Sequence, residues 1–489
     1  MRKKVAIIGS GISGIATALR LAAKGYHVEV FEQSSRPGGK ISEISMDGFR
    51  FDTGPSLLTY PDLINELFFL FGDNRGDYFS CNSLDVSCKY FWEDGTIVNA
   101  WQEPSLFANE LKKNTGAKTE CILDYLHEAE RLYSIAGNTF IFHSLNKLAN
   151  YTSAPFLKTF LNFPKLDPFR TLHQRNLSKL KIPKVVQIFD RYATYNGSNP
   201  YKAPSTLRMI SHLEHNMGAY FPSRGIFSIV SSLYDYAKTK GVRFHFNSRV
   251  EKINTAGSSV RGIRANGVDY QFDIVVSNID VVNLYSLLDT QRLPSSQLKQ
   301  QRSSSAIIFY WGVGKSYPDL KLHNILFSDK YQNEFDHIFN RKTLSHDPTV
   351  YIFISSKMIP GDAPPGCENW YVMINAPENI GQYNQYLINE AKNRILEKIS
   401  RTLKTDISQN ILTEKVADPR SIEAETGSFR GSLYGLSSNN ILAAFNRHPN
   451  FSRKIKNLFF VGGSVHPGGG IPLCLASAKI ATSLLPTIK

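Results

Sequence analysis

The chain has 489 residues, 42% hydrophobic and 20% charged. That balance excludes an extended disordered polymer and is enough for two or three domains or one large intertwined enzyme. A net charge of +14 favours an acidic partner, either nucleic acid or an anionic membrane surface, and five cysteines without a CxxC spacing argue against a disulfide frame or a zinc site and read as reduced thiols.

Residues 4–8 are a short β-branched apolar run and read as a buried strand. The apolar stretch is too short for a signal peptide and is cut by a glycine turn. Apolar side chains at helical spacing follow over 13–24 (Ile15, Ala18, Leu19, Ala22), and Gly25 ends that helix. His27 to Phe31 is a second strand, completing a βαβ unit. Ile64 to Leu70 predicts a short helix, 88–98 a hairpin turned at Glu93-Asp94-Gly95, and 117–150 a helical stretch.

Residues 131–189 hold nine Lys or Arg and one acid, Asp167, interleaved with Phe140, Phe142, Phe156, Phe160, Phe163 and Phe169. Prolines at 155, 164, 168 and 183 are expected to chop the segment into short helices. Strands return over 241–276, 305–313, 349–355 and 370–376, and 386–403 predicts an amphipathic helix. The chain closes with a strand from Leu458 to Val461, a glycine loop and a helix from Ala476 to Leu485. No stretch approaches the roughly 18 uninterrupted apolar residues of a spanning helix.

Two glycine-rich segments carry the chemistry. In Gly9-Ser10-Gly11-Ile12-Ser13-Gly14, the first glycine permits a tight strand-to-helix turn. The second lets backbone approach a pyrophosphate, and the third lets helix and strand pack closely. The helix N-terminus offers N–H groups to phosphate. Glu32, 18 residues after Gly14, is placed for the ribose hydroxyls. Near the other end, Gly462 to Pro472 again pairs a strand with open backbone amides entering a helix. Together with Arg36-Pro37-Gly38-Gly39-Lys40, this points to FAD. His466 reads as a structural or flavin-contacting residue, with a base role as the lesser reading.

Six further segments carry a family resemblance: Gly48 to Ser56, Asn196 to Pro200, Gly218 to Pro222, Ser277 to Asp280, Ala363 to Cys367 and His466 to Pro472. The chain resembles, over nearly its whole length, the bacterial phytoene desaturase-type FAD-dependent carotenoid desaturases, and within them the hydroxycarotenoid 3,4-desaturase branch. The resemblance implies FAD contacts at Gly9, Gly11, Ile12, Gly14, Glu32 and Lys40. It extends them to Gly54, Ser56, Leu57, Val250 and Asn278, and to Gly463, Ser464, Gly470, Ile471 and Pro472. Lys40 departs from the usual Arg, so the planar fork for a bidentate phosphate contact is missing.

Such an enzyme introduces a C=C bond into a hydroxylated carotenoid by hydride transfer to FAD, in carotenoid biosynthesis. The flavin accepts the hydride, and the protein aims the bond at it. Allylic hydride loss leaves a delocalised cation, which needs a dry tunnel with aromatic faces more than a strong base. Asp336 and Glu214 are the candidate proton acceptors, and Arg191 and Tyr192 the tunnel candidates. Oxygen or a quinone would reoxidise the flavin. The basic aromatic segment 131–189 is expected to dock on a membrane surface, making the protein cytoplasmic and peripherally membrane-associated, with no nucleic-acid partner. The alternatives are a phytoene desaturase, a flavin amine oxidase, and a non-catalytic isoprenoid-binding escort on an FAD fold.

The expected fold class is α/β: a Rossmann-like FAD-binding domain (1–90, 215–290, 435–489) interleaved with a mixed-sheet substrate domain. The latter comprises β-rich 91–130 and 291–434. A helical, basic, membrane-associating region covers 131–214.

Overall fold

The computed structural model describes residues 3–289 and 295–488. The extreme termini and the expected boundary at 290/291 lie outside the described residues.

A five-stranded parallel sheet runs in the order Arg243–His245, His27–Phe31, Lys4–Ile8, Ile274–Ser277, Leu458–Phe460. Val5 to Ile8 and Ile274 to Ser277 are buried throughout, as a sheet covered on both faces requires. On one face the helices Ile12–Ala23, Phe227–Thr239 and Ile471–Ser483 share a core with it. The other face packs on the antiparallel strands Val250–Ala256, Ser259–Ala265 and Val268–Gln271. Its strands come from stretches more than 400 residues apart, so the sheet exists only once both chain ends have met.

A seven-stranded mixed sheet stands beside it, in the order Ile411–Ala417, Ser305–Val313, Glu368–Ala376, Val350–Phe353, His323–Leu326, Val86–Phe91, Ile97–Trp101. Side chains alternate between its faces. Phe309, Trp311, Trp370, Val372 and Ile352 share one core with the helix Gln385–Leu403. The residues between them face the other way, into the cavity described below.

Three expectations need correction. The expected boundary at 90/91 cuts the strand Val86–Phe91, and 91–130 is mostly helical, with helices at Pro104–Thr115 and Thr119–Leu132. The helical stretch expected over 117–150 ends at Phe142, after a π-helical turn at Tyr133–Gly137. The last helix starts at Ile471, not Ala476. Pro472 sits in its first turn, where the missing N–H costs nothing. For the same reason Pro155 and Pro183 stand at the starts of the short helices Ala154–Leu161 and Pro183–Asp190, so the basic segment is divided into short helices as expected.

Candidate functional site

The strand Lys4–Ile8 ends in Gly9 at φ +94°, a conformation that side chains disfavour. The helix Ile12–Ala23 begins three residues later, with Gly11, which has no side chain to cap it, at the N-cap. At Gly14 a Cβ would stand 2.1 Å from the Gly9 carbonyl oxygen, so only glycine lets helix and turn close up. The amide of Asn278, oriented to satisfy both its atoms, accepts from Gly11 N at 3.1 Å and Gly14 N at 3.3 Å.

Glu32 closes the other side of this crevice. Its Oε2 accepts from Ser10 N (2.8 Å) and Ser10 Oγ (2.9 Å), and its Oε1 from Ser34 N (2.9 Å). A carboxylate has about four lone-pair sites, so one on Oε1 remains for a ligand hydroxyl.

The second glycine segment arrives on the strand Leu458–Phe460 and enters the helix Ile471–Ser483 through Gly470, again uncapped. Ser13 Oγ donates to Cys474 O at 2.9 Å and ties the two helices together. Two helix N-termini therefore open on one cavity, each with partial positive charge and free N–H groups. Two helix N-termini, the anchored acid and a turn with no room for side chains fit a dinucleotide.

The cavity measures about 1580 Å³, beyond the roughly 300–1,000 Å³ of sites for small ligands. It is large enough for a dinucleotide and a second, long molecule. Of the expected cofactor residues, Gly14 alone is not on its wall; it lies behind the turn. Lys40 lines the cavity, but its Nζ donates to Ser432 O (3.1 Å) and Leu433 O (2.6 Å), and burial lowers its pKa. Two of the three ammonium donors are thereby taken, which leaves one for a ligand oxygen.

Beyond the crevice the cavity runs under the seven-stranded sheet. The pairs Tyr310↔Tyr371, Ile308↔Met373 and Ile325↔Tyr351 bring alternate residues onto its wall. Tyr351 Oη bonds Ser56 Oγ at 2.6 Å and His323 Nδ1 at 2.7 Å. Burial holds His323 down to about 3, so the ring is neutral. The strands at 305–313 and 370–376 are near-continuous apolar runs, almost wholly buried, so the sequence locates them without showing which face meets the cavity.

The remaining candidates separate. Arg191 is on the wall, whereas Tyr192 packs behind it, fully buried, with its hydroxyl against His215 Nε2 at 2.9 Å. Glu214 is buried behind Arg191 and accepts from Arg191, Ser87 and Tyr195. Burial opposes its charge, but Arg191 and these hydrogen bonds win and hold it down to about 2. Asp336 is not on the cavity wall; it bonds Asn340 and Arg341 at the surface. Neither carboxylate is placed as a proton acceptor: one is saturated, the other outside the cavity. His466 lines the cavity, and its Nε2 is 2.9 Å from His143 O. Burial pushes it down to about 4, so it is neutral too.

At the far end, Phe163 and Phe169 line the cavity while 44% and 82% exposed, and Leu442 and Phe445 do so at 56% and 43%. Beside them Phe160 and Leu161 are 76% and 78% exposed. Among the described residues no helix is long and apolar enough to cross a membrane.

Residues 12–485 match the family model for flavin containing amine oxidoreductase. The chain is 49% identical over 485 residues to a 1-hydroxycarotenoid 3,4-desaturase of Flavobacterium sp. (strain P99-3), covering 99% of each protein. It is 31% identical over 494 residues to a 4,4'-diapolycopene oxygenase of Methylomonas sp, covering 98% of this chain and 97% of that one. Among solved structures, cyclohexylamine oxidase from Brevibacterium oxydans IH-35A superposes with a TM-score of 0.61 at 14% identity, over 99% of this chain and 98% of that one. That likeness concerns the fold alone.

Proposed function

Because the chain belongs to the flavin containing amine oxidoreductase family, we propose that it is an FAD-dependent carotenoid desaturase. It introduces a C=C bond at the 3,4 position of a hydroxylated carotenoid. FAD is its cofactor. The observation that carries this reading is one continuous cavity. It joins a dinucleotide crevice to an aromatic sheet face and opens among exposed Phe and Leu side chains. A small amine needs neither that length nor that mouth; a polyene needs both.

Glu32 and the N-termini of the helices Ile12–Ala23 and Ile471–Ser483 would hold the cofactor's ribose and phosphates. Bound FAD supplies the hydride acceptor. Tyr310, Tyr351 and Tyr371 present ring faces or edges to the polyene. Their quadrupoles favour the positive charge that hydride loss leaves, and the buried wall excludes water from it. The carbon next to the cation must also release a proton, and the neutral ring of His466, which lines the cavity with its Nδ1 unpartnered among the described residues, is the group available to take it. With no carboxylate positioned as a base, positioning supplies most of the rate.

The mouth reads as the membrane dock. Phe160, Leu161, Phe163 and Phe169 enter the acyl boundary while Lys158, Lys165 and Arg170 meet anionic head groups, and the carotenoid passes from bilayer to tunnel. Oxygen or a membrane quinone then takes the electrons. Replacing Phe160, Leu161 and Phe169 by Ser is expected to abolish co-sedimentation with anionic liposomes while FAD stays bound; persistent co-sedimentation refutes the dock.

The deciding assay incubates purified protein with FAD and liposomes carrying either 1'-hydroxy-γ-carotene or phytoene. A red-shifted, chromatographically new product from the hydroxylated carotene alone is the expected result. Product from phytoene alone moves the enzyme to phytoene desaturation, and product from neither refutes the desaturase reading.

A further inference from the structure

One stretch of the cavity wall carries charge that a hydrocarbon has no use for. Arg191 and Tyr195 line the cavity, with Glu214 directly behind them. Arg191 Nη2 donates to both Glu214 oxygens at 3.2 Å and to Tyr90 Oη at 2.7 Å, and Nη1 donates to Tyr195 Oη at 3.2 Å. Tyr195 in turn donates to Glu214. The rings of Tyr90, Tyr192 and Tyr195 stand 5.3, 4.8 and 5.2 Å from the guanidinium carbon.

A buried ion pair of this kind is often matched in stability by apolar residues of the same volume. A tunnel for an unsubstituted polyene would be served as well by Met or Leu. The cluster also keeps hydrogen-bonding capacity in reserve. Arg191 Nη1 carries two N–H groups and spends one on Tyr195, which leaves one. Tyr195 Oη accepts one bond and donates one, which leaves a lone pair. A hydroxyl group donates one bond and accepts two, so an alcohol matches an open N–H beside an open lone pair. A carboxylate or an amine would upset the neutral Arg191–Glu214 pair.

Resting on the desaturase reading, we infer that Arg191 and Tyr195, held in place by Glu214, dock the hydroxyl on the end group of the polyene and make the enzyme select hydroxylated carotenoids. The physical basis is an asymmetry. An apolar pocket separates molecules differing by one hydroxyl by only about 10²-fold, whereas a pocket with polar groups to satisfy rejects the molecule lacking it by about 10⁴-fold or more. The cluster makes and breaks no covalent bond. Arg191 and Tyr195 touch the substrate, and Glu214 positions them.

The test presents holoenzyme with liposomes carrying a hydroxylated carotene or its deoxy analogue. It reads kcat/KM by product chromatography, and binding by the shift of the carotenoid visible band. Two variants are compared with the wild type: Tyr195→Phe, and the double change Arg191→Met with Glu214→Gln, which strands no lone charge. We expect Tyr195→Phe to lower kcat/KM and affinity for the hydroxylated carotene about tenfold or more while the deoxy arm does not fall, and the double variant to erase the preference. If the double variant fails to fold, Tyr195→Phe decides alone. An equal fall in both arms, or a preserved preference, overturns the inference and leaves the cluster structural. Equal use of both carotenes by the wild type overturns it while the desaturase reading stands. A flavin-loaded wild type that desaturates neither overturns both.

Discussion

Glu334 is a carboxyl whose burial should make the protein less stable as pH rises. It is 1% exposed on the helix Tyr331–Asp336. Its Oε2 accepts from Thr349 Oγ1 (2.7 Å), Thr349 N (3.1 Å) and Ser328 Oγ (3.2 Å), while Oε1 has no partner among the described residues. Burial, with Asp347 adding to it, outweighs those hydrogen bonds and raises the group from 4.5 to about 7. Between those values the folded protein holds a proton that the unfolded chain has lost. Stability therefore falls as pH rises from 4.5 through 7. At about 1.4 kcal/mol per pKa unit, the cost approaches about 3 kcal/mol by pH 8. Glu334→Gln has nearly the same shape and never ionises. Wild type and variant should unfold at similar urea concentrations near pH 5. By pH 8 the variant should be the more stable by up to about 3 kcal/mol. Urea unfolding of the holoenzyme at several pH values from 5 to 8, followed by flavin fluorescence, measures the gap. A gap that stays constant across that range would refute the reasoning.

Glu214→Ala strands the Arg191 guanidinium in the interior and should cost about 3–5 kcal/mol, read as a lowered urea midpoint; a neutral outcome would mean water reaches Arg191. Because Glu214 is held at about 2, its contribution is present in full above 4.5 and is lost as pH falls toward 2. Gly14→Ala drives a methyl against Gly9 O and should strip the flavin, seen as lost visible absorbance after gel filtration; full retention would show that the turn can shift. Asp336→Ala should leave kcat/KM unchanged, since the carboxylate bonds only Asn340 and Arg341; a loss beyond about 100-fold, the low end for a general base, would return it to the chemistry.

The sequence determined the parts governed by local backbone rules. Gly9, Gly11 and Gly14 with Glu32 spell out a βαβ dinucleotide crevice because the turn, the close approach and the acid are fixed within some thirty residues of chain. The strand at 305–313, a near-continuous apolar run, and the helix near 386–403, with its apolar residues at helical spacing, were equally legible. What lay beyond was which residues meet. Asp336 and Glu334 are two positions apart on one short helix, so they point to different sides; only packing against Thr349 tells which carboxyl is buried and titrates abnormally. Arg191 and Tyr192 are neighbours in the chain, yet one lines the cavity and the other packs behind it. Glu214 reads as a possible base until Arg191, 23 residues away, is seen to saturate it. Ser56, Tyr351 and His323 form their hydrogen-bonded row across nearly 300 residues of sequence. Charge, burial and hydrogen-bond partners are properties of three-dimensional neighbours, and those are decided only when the seven-stranded sheet closes over the cavity.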